Sequence, residues 1–392
     1  MTGPTRIRAG RSDVYRLLAA WLRTLIPTAA FRLLPGSSRD WGPPRRTASV
    51  AAYARRHPFT WHPVQPARED ALPPPFTGPL PAASPLNVAN FRWEAKGIAI
   101  LPGARVLADD AWVIGAEDSF LGEFHDTGPL RYSTAYLRGR RNPVARLPGR
   151  TLNLGSAFAG GNFYHWMMDG VARADFFHRA GFSWADVDRV LIPRFHSETT
   201  RRIVAALGLP ADRVVQPGRG DQFECEELWQ PSPTGAHRLT APWAVAFHRA
   251  LLPPPPPSGR STRVFLNRRG ARSLIGQDAF ASRLAREGFE TVDAGDFDRL
   301  RDCLANATHV VGVHGAALTN LLYCHPGTRV LELLSDDSPW PHYRSLCAGA
   351  GLPYGAVIGV ARARRLHPAI PRNGDFQIKP AAFESGLARL LA

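Results

Sequence analysis

Lysine is nearly missing from this sequence. Of 48 basic residues only Lys96 and Lys379 are lysines, so the net charge of +15 is an arginine charge, in part a compositional bias rather than a dedicated polyanion surface. It is also uneven. Residues 1–60 hold 11 arginines against Asp13 and Asp40, a net of +9, which leaves +6 for the other 332 residues. A body that mildly basic gives no reason to expect nucleic acid as a partner. Cysteine is scarce as well: Cys225, Cys303, Cys324 and Cys347 are scattered without CxxC spacing, which excludes a disulfide framework and a zinc site and leaves reduced, structural thiols. Membrane-spanning runs are missing. Val310 to Thr328 is free of formal charge over 19 residues, but His314, Asn320, His325, Pro326 and three glycines rule out a spanning helix. Arg16 and Arg23 break the N-terminal apolar run, which excludes a signal peptide there and leads us to expect a cytoplasmic protein. No internal repeat occurs, and no GxGxxG follows a first strand, which counts against a nicotinamide-dependent oxidoreductase.

What is present is the composition of a globular protein, 44% apolar and 10% aromatic, in a chain of 392 residues, long enough for two α/β cores facing each other across a cleft. Residues 1–84 read as a basic, partly irregular extension. Within it Val14, Leu17, Leu18, Trp21, Leu22 and Leu25 have helical spacing behind Ser12, a stripe that either packs on the protein's own core or lies on an anionic membrane surface through residues 1–34. From about 35 to 84 the chain is rich in proline and arginine with no sustained period, and is expected to be extended or partly disordered. A first lobe over 85–255 opens with a small β-rich entry element and continues with alternating helices and strands. The five prolines Pro253–Pro257 form a stiff spacer and the best boundary. A second lobe over 256–372 alternates strand and helix through nine elements, the pattern of a doubly wound parallel sheet. Residues 373–392 hold a last helix expected to cross back to the first lobe.

Four segments could carry chemistry. In the first, the strand His309–Val313 runs into His314, Gly315, Ala316, Ala317, Leu318, Thr319 and Asn320, a glycine turn and helix start whose backbone N–H groups suit a diphosphate; a tight turn with a structural histidine is the plainer alternative. In the second, Glu332 places a carboxylate inside the next strand, where it needs a partner: a sugar or ribose hydroxyl, or Arg344 in a buried ion pair. In the third, Asn267, Arg268 and Arg269 follow the first strand of the second lobe, at the edge where open α/β sheets bind ligands, and two guanidinium forks there suit phosphate. In the fourth, Asn162 is a plausible helix cap that puts His165 in the first turn and Asp169 on the same face one turn later, an oriented general base or a mere solvated pair. Asp186-Val187-Asp188 and Asp296-Phe297-Asp298 have the DxD spacing of a metal-diphosphate site, but both precede predicted elements and read as caps or turn residues, so no metal is implied.

Taken in order, Gly161-Asn162-Phe163-Tyr164-His165-Trp166-Met167-Met168-Asp169, Phe265-Leu266-Asn267-Arg268-Arg269, Val311-Gly312-Val313-His314-Gly315-Ala316-Ala317-Leu318-Thr319-Asn320 and Pro326-Gly327-Thr328-Arg329-Val330-Leu331-Glu332 resemble the successive motifs of glycosyltransferase family 61. The resemblance covers roughly residues 150–360. It implies a GT-B fold with an N-terminal acceptor lobe and a C-terminal donor lobe, a nucleotide-sugar held between them as substrate, inversion at the anomeric carbon, and no cofactor or essential metal. It assigns Arg268, Arg269 and the turn of His314, Gly315 and Ala316, with Asn267, Thr319 and Asn320, to the donor. Glu332 would lie near the nucleotide or sugar hydroxyls. His165 and Asp169, with Asn162 and Tyr164, would face a glycan or lipid-linked glycan acceptor of the kind used in capsule, exopolysaccharide or lipopolysaccharide synthesis. Asn267 stands where the family usually has serine and Ala317 where glycine is frequent; neither removes a needed group. The competing classes are a non-catalytic polyanion- or membrane-surface-binding protein working through its arginine-rich N-terminus, and another nucleotide-dependent enzyme on a similar lobe.

Overall fold

The computed structural model describes residues 46–107, 111–125, 144–194, 197–218, 220–236, 238–259, 261–268, 270, 272–362 and 374–392. The stripe Val14 to Leu25 and Arg269 lie outside the described residues. The chain is α/β and builds two large sheets.

The first sheet has ten strands: β1 (Arg46–Ala48), β2 (Thr60–Gln65), β5 (Lys96–Pro102), β6 (Arg105–Leu107), β7 (Trp112–Gly115), β8 (Ser119–Leu121), β9 (Val144–Asn153), β10 (Arg189–Leu191), β11 (Val214–Val215) and β12 (Gln222–Pro231). A separate hairpin joins β3 (Arg68–Ala71) to β4 (Asn90–Trp93). Its neighbour β5 is buried along most of its length, as Ile98-Ala99-Ile100-Leu101 demands. Gly103, at φ 63°, bends β5 into β6, and both lie antiparallel to β12. On the other side of β12, the strands β9, β10 and β11 run parallel to it and to each other. The first half is therefore a mixed sheet rather than a doubly wound parallel one. The supposed entry element is not a flank but half of the same sheet, and β2 extends it, so much of 35–84 is ordered.

The second sheet follows the expected alternation. Strands β13 (Thr262–Leu266), β14 (Phe289–Val292), β15 (Ala307–Val313), β16 (Arg329–Ser335) and β17 (Tyr354–Ala361) run parallel, and β18 (Phe376–Gln377) adds an antiparallel edge. The order β14-β13-β15-β16-β17-β18 reverses direction between β13 and β15. In a doubly wound sheet the carboxyl ends of the strands at such a reversal open a crevice that takes ligands. Asn267, Arg268 and His314 leave the sheet there.

The C-terminal helix Pro380–Leu391 does not cross to the first sheet. Phe383, Leu387 and Leu390 bury against Leu331, Val357 and Phe376 on an apolar face of the second sheet that the helix also shares with Phe280 and Leu284. The crossing is made by an earlier segment. The Phe76 amide donates to the Tyr354 carbonyl at 2.9 Å and the Ala356 amide to Thr77 Oγ1 at 3.1 Å, so residues 76–77 cover part of the edge of β17. Arg344, in the helix His342–Ala350, is buried and donates to the carbonyls of Leu86, Val88 and Pro73 at 2.7–2.9 Å; it is not the partner of Glu332. The proline run is no free spacer either, since Arg301 and His325 donate to the carbonyls of Pro253 and Pro255. One apolar core, which includes Ala244, Val245, Leu346 and Ala350, joins the halves where the helix Pro242–Leu251 packs on His342–Ala350, with Val245 and Pro242 close over Gly349.

Candidate active site

The first wall grows from the end of β9. Asn162 accepts a hydrogen bond from the Tyr164 amide at 2.9 Å and so starts a helical turn at Phe163–His165. Trp166–Val171 then widen into a π-helical turn, closed by the Ala172 amide on the Met167 carbonyl at 3.0 Å. Such widened turns recur at functional sites because they re-aim side chains. Here the turn is braced from behind: His248 Nε2 donates to the same Met167 carbonyl at 2.9 Å. Burial pushes the His248 imidazole down to about 4. On the open side, His165 Nδ1 donates to Asp169 Oδ2 at 2.6 Å, with side chains 21% and 14% exposed, so the pair is shielded but reachable. The carboxylate fixes the tautomer and leaves Nε2 as the free nitrogen.

The second wall is the crevice beyond β13, β15 and β16. His314 Nδ1 donates to Glu332 Oε1 at 2.6 Å, and the Tyr354 hydroxyl donates to Glu332 Oε2, also at 2.6 Å. Glu332 is fully buried. Both carboxylate oxygens are thus engaged by protein groups, and the bond to Oε1 orients His314, whose free nitrogen is Nε2. Arg268 Nη1 donates to the His314 carbonyl at 2.9 Å, crossing directly over Gly315. A methyl at Gly315 would stand 1.9 Å from that nitrogen, so only glycine leaves the guanidinium this path. Asn267 turns its Oδ1 back to the Arg268 amide at 2.8 Å. The segment Ala316–Tyr323 is a 3-10 helix rather than an α-helix, with Thr319 and Asn320 buried on its inner side and Asn320 Nδ2 on the Ala317 carbonyl at 2.9 Å.

Three residues of this crevice have no counterpart in the sequence reading. Arg272 sits beside Arg268 on a left-handed backbone, φ 65°, with its Nε buried and without a hydrogen-bond partner among the described residues. Burial first, then the neighbouring Arg272, lowers Arg268 to about 10, and burial lowers Arg272 in turn. Two half-buried guanidiniums held together disfavour each other's charge and favour an anion between or beside them. His342 is the second and Tyr343 the third. The His342 ring lies 4.8 Å from Tyr164 and 6.3 Å from His165, and its Nδ1 is buried with no hydrogen-bond partner among the described residues. Burial, then the nearby His314, His165 and Arg238, push it well below the ordinary histidine range. Tyr343, 5.3 Å from His314 and 5.6 Å from Tyr164, completes a chain of rings from one wall to the other. The Tyr164 hydroxyl bonds Thr240 at 2.7 Å, which itself donates to the His342 carbonyl at 2.8 Å.

The acidic triplets are structural. Asp186 accepts from the Ser183 amide and hydroxyl, Asp188 from the Arg150 amide, Asp296 from the Arg299 amide, and Asp298 pairs with Arg202. Among the described residues no group of three or more His, Cys, Asp or Glu side chains is arranged to hold a metal ion. Nor is any helix among them long and apolar enough to cross a membrane.

The family model for Glycosyltransferase 61 matches residues 163–331. The chain carries a glycosyltransferase family 61 domain. It is an enzyme of the glycosyltransferase class, and the domain begins in the turn that holds His165 and ends one residue short of Glu332. A search of curated proteins finds no match to the chain. Within the family 61 domain lie His165, Asp169, Asn267, Arg268 and His314; Phe158, Glu332 and His342 fall outside the matched stretch.

Proposed function

We propose that the two walls are the acceptor and donor sides of a GT-B cleft, with residues 85–255 serving the acceptor and 256–372 the donor. The observation that carries this reading is the unbroken path His165–His342/Tyr164–Tyr343–His314, which sets an oriented histidine of one half opposite an oriented histidine and a guanidinium pair of the other. A nucleotide-sugar binds with its diphosphate on Arg268 and Arg272 at the reversal point of the second sheet. His165 Nε2 takes the proton from an acceptor hydroxyl, Asp169 stabilises the imidazolium, and the hydroxyl oxygen attacks the anomeric carbon from the face opposite the leaving nucleoside diphosphate, inverting its configuration. The bond between the anomeric carbon and the diphosphate oxygen breaks with its electron pair going to that oxygen, and the guanidiniums and His314 stabilise the negative charge that develops there, a role a metal cation could otherwise fill.

The acceptor in this reading is a glycan or lipid-linked glycan of capsule, exopolysaccharide or lipopolysaccharide synthesis. The arginine-rich residues 1–60 support work at the inner, cytoplasmic face of an anionic membrane. Titration calorimetry against UDP-, GDP-, CMP- and dTDP-sugars tests the core of it. At least one donor binds, Arg268→Ala weakens it, and His165→Ala lowers turnover while donor affinity is kept. No binding to any donor overturns the reading. Activity persists in EDTA, and strict dependence on manganese overturns the metal-free part.

A further inference from the structure

The loop that leads into the His165 turn carries an aromatic ring in an unusual state. Phe158 is 55% exposed, one of three large apolar side chains so exposed among the described residues. A single exposed phenylalanine is ordinary on a protein surface. This one stands on a left-handed backbone, φ 62°, a conformation that costs a residue with a Cβ about 1–2 kcal/mol. No burial of the ring offsets that cost. Strain of this kind persists where the surrounding structure imposes it, and it gathers at binding sites. Here it does gather: of the six non-glycine residues with positive φ among the described residues, Phe158, Arg238 and Arg272 all border the cleft.

The ring has a defined place. Its centroid lies 5.4 Å from that of His165, at an interplanar angle of 47°, so it stands beside the imidazole assigned to the acceptor hydroxyl. The turn is pinned by the Gly161 amide on the Phe158 carbonyl at 3.1 Å and the Ala159 amide on the Ser156 carbonyl at 3.3 Å. Ser156 Oγ in turn donates to the His165 carbonyl at 3.4 Å. Beyond the ring, Gly160 and Gly161 face open space: a Cβ at either would meet nothing within 4 Å. Packing does not demand these glycines, and the space beside the loop is open.

From these observations we infer that Phe158 is an acceptor-binding residue, a platform on which the apolar C–H face of the acceptor's pyranose ring stacks beside His165. The electron-rich face of an aromatic ring attracts the weakly positive C–H bonds along one side of a pyranose, and the contact removes apolar surface of both from water. The inference rests on the reading of this cleft as a site of glycosyl transfer, and it adds the subsite that orients the hydroxyl.

Saturation-transfer NMR tests it, with methyl β-D-galactopyranoside, methyl β-D-glucopyranoside and methyl α-D-mannopyranoside as probes in the presence of the nucleotide-sugar found by calorimetry. Wild-type protein transfers saturation to the C–H protons of at least one probe. Phe158→Ala and Phe158→Gly weaken that probe's binding about tenfold, Phe158→Trp keeps it, and donor affinity is the same in all four proteins. A structural role would predict a lower melting temperature for Phe158→Gly, whereas relief of the backbone holds or raises it. Equal probe binding in wild type and Phe158→Ala overturns the proposal, as does a wild type that binds none of the three sugars. If no nucleotide-sugar binds at all, the reading of the cleft falls with it.

Discussion

Glu332 shows how far a single residue can be read. That a carboxylate inside a buried strand needs partners follows from the cost of desolvating it, and Pro326 to Glu332 announces the strand. Which partners they are depends on β15 and β17 lying on either side of β16, and no local pattern supplies that: His314 comes from one neighbour and Tyr354 from the other. Glu332→Gln keeps the shape of the site and removes the charge that orients His314. Donor KM rises about tenfold with the far-UV spectrum unchanged; steady-state kinetics at varied donor checks this, and an unchanged KM would separate Glu332 from the donor side. Gly315→Ala acts by another route. The added methyl displaces the end of the Arg268 side chain, which is flexible, so the fold survives while donor affinity drops about tenfold in calorimetry. Phe158, Arg272 and His342 went unread because each looks like a neighbour of something else: a lone aromatic among small residues, one more arginine in an arginine-rich chain, a histidine at a helix start. The left-handed backbone at the first two is invisible without coordinates.

The legible and illegible elements divide between the sheets. In the second sheet the central strands are short apolar runs, Arg329–Ser335 buried almost throughout, and the strands alternate with amphipathic helices such as Phe297–Ala305, whose Leu300 and Leu304 point inward behind the Asp296 cap. Both periods stand out. In the first sheet, β12 carries Glu224, Glu226 and Glu227 and β9 contains Pro148 and Gly149, so neither shows a strand period, yet together they form the spine of that sheet. Pairing, not propensity, makes them strands. The π-helical turn is another case, legible as a helix with His165 and Asp169 on one face but not as a widened one. Its brace gives a pH prediction. His248 falls from the usual 6.5 to about 4 in the fold, so the unfolded chain binds the extra proton in between; stability is full above pH 6.5 and is lost as pH falls toward 4, by about 3 kcal/mol. His342, also lowered, adds in the same direction. His248→Gln, which retains a donor for Met167, flattens the loss when urea unfolding is followed from pH 7 to 4.5; an unchanged slope would assign the acid sensitivity elsewhere.

At the scale of the whole molecule, the halves are bound by more than a linker. Arg344 ties the second half to the carbonyls of residues 73, 86 and 88, and residues 76–77 lie along β17. Replacing Arg344 with methionine leaves three buried carbonyls without their charged donor and costs about 3 kcal/mol or more. The loss appears as a lower melting temperature in calorimetry. Because the tie joins the halves, the melt stays a single transition; two resolved transitions in the wild type would mean that they fold as separate units. The crossing was invisible in the sequence because the proline-rich stretch before Asn87 has no periodicity of its own. It takes its shape from the strand edge it covers.

The shared core between Pro242–Leu251 and His342–Ala350 has a mechanical consequence. Helices interlocked through Val245, Leu346 and Ala350 cannot swing apart about a hinge without opening apolar surface to water, so the cleft has little freedom to gape and shut. The histidines on its two walls then stand at their working separation before any sugar arrives. On the proposed reading substrates enter a slot of fixed width, and the radius of gyration in small-angle scattering stays the same with and without donor.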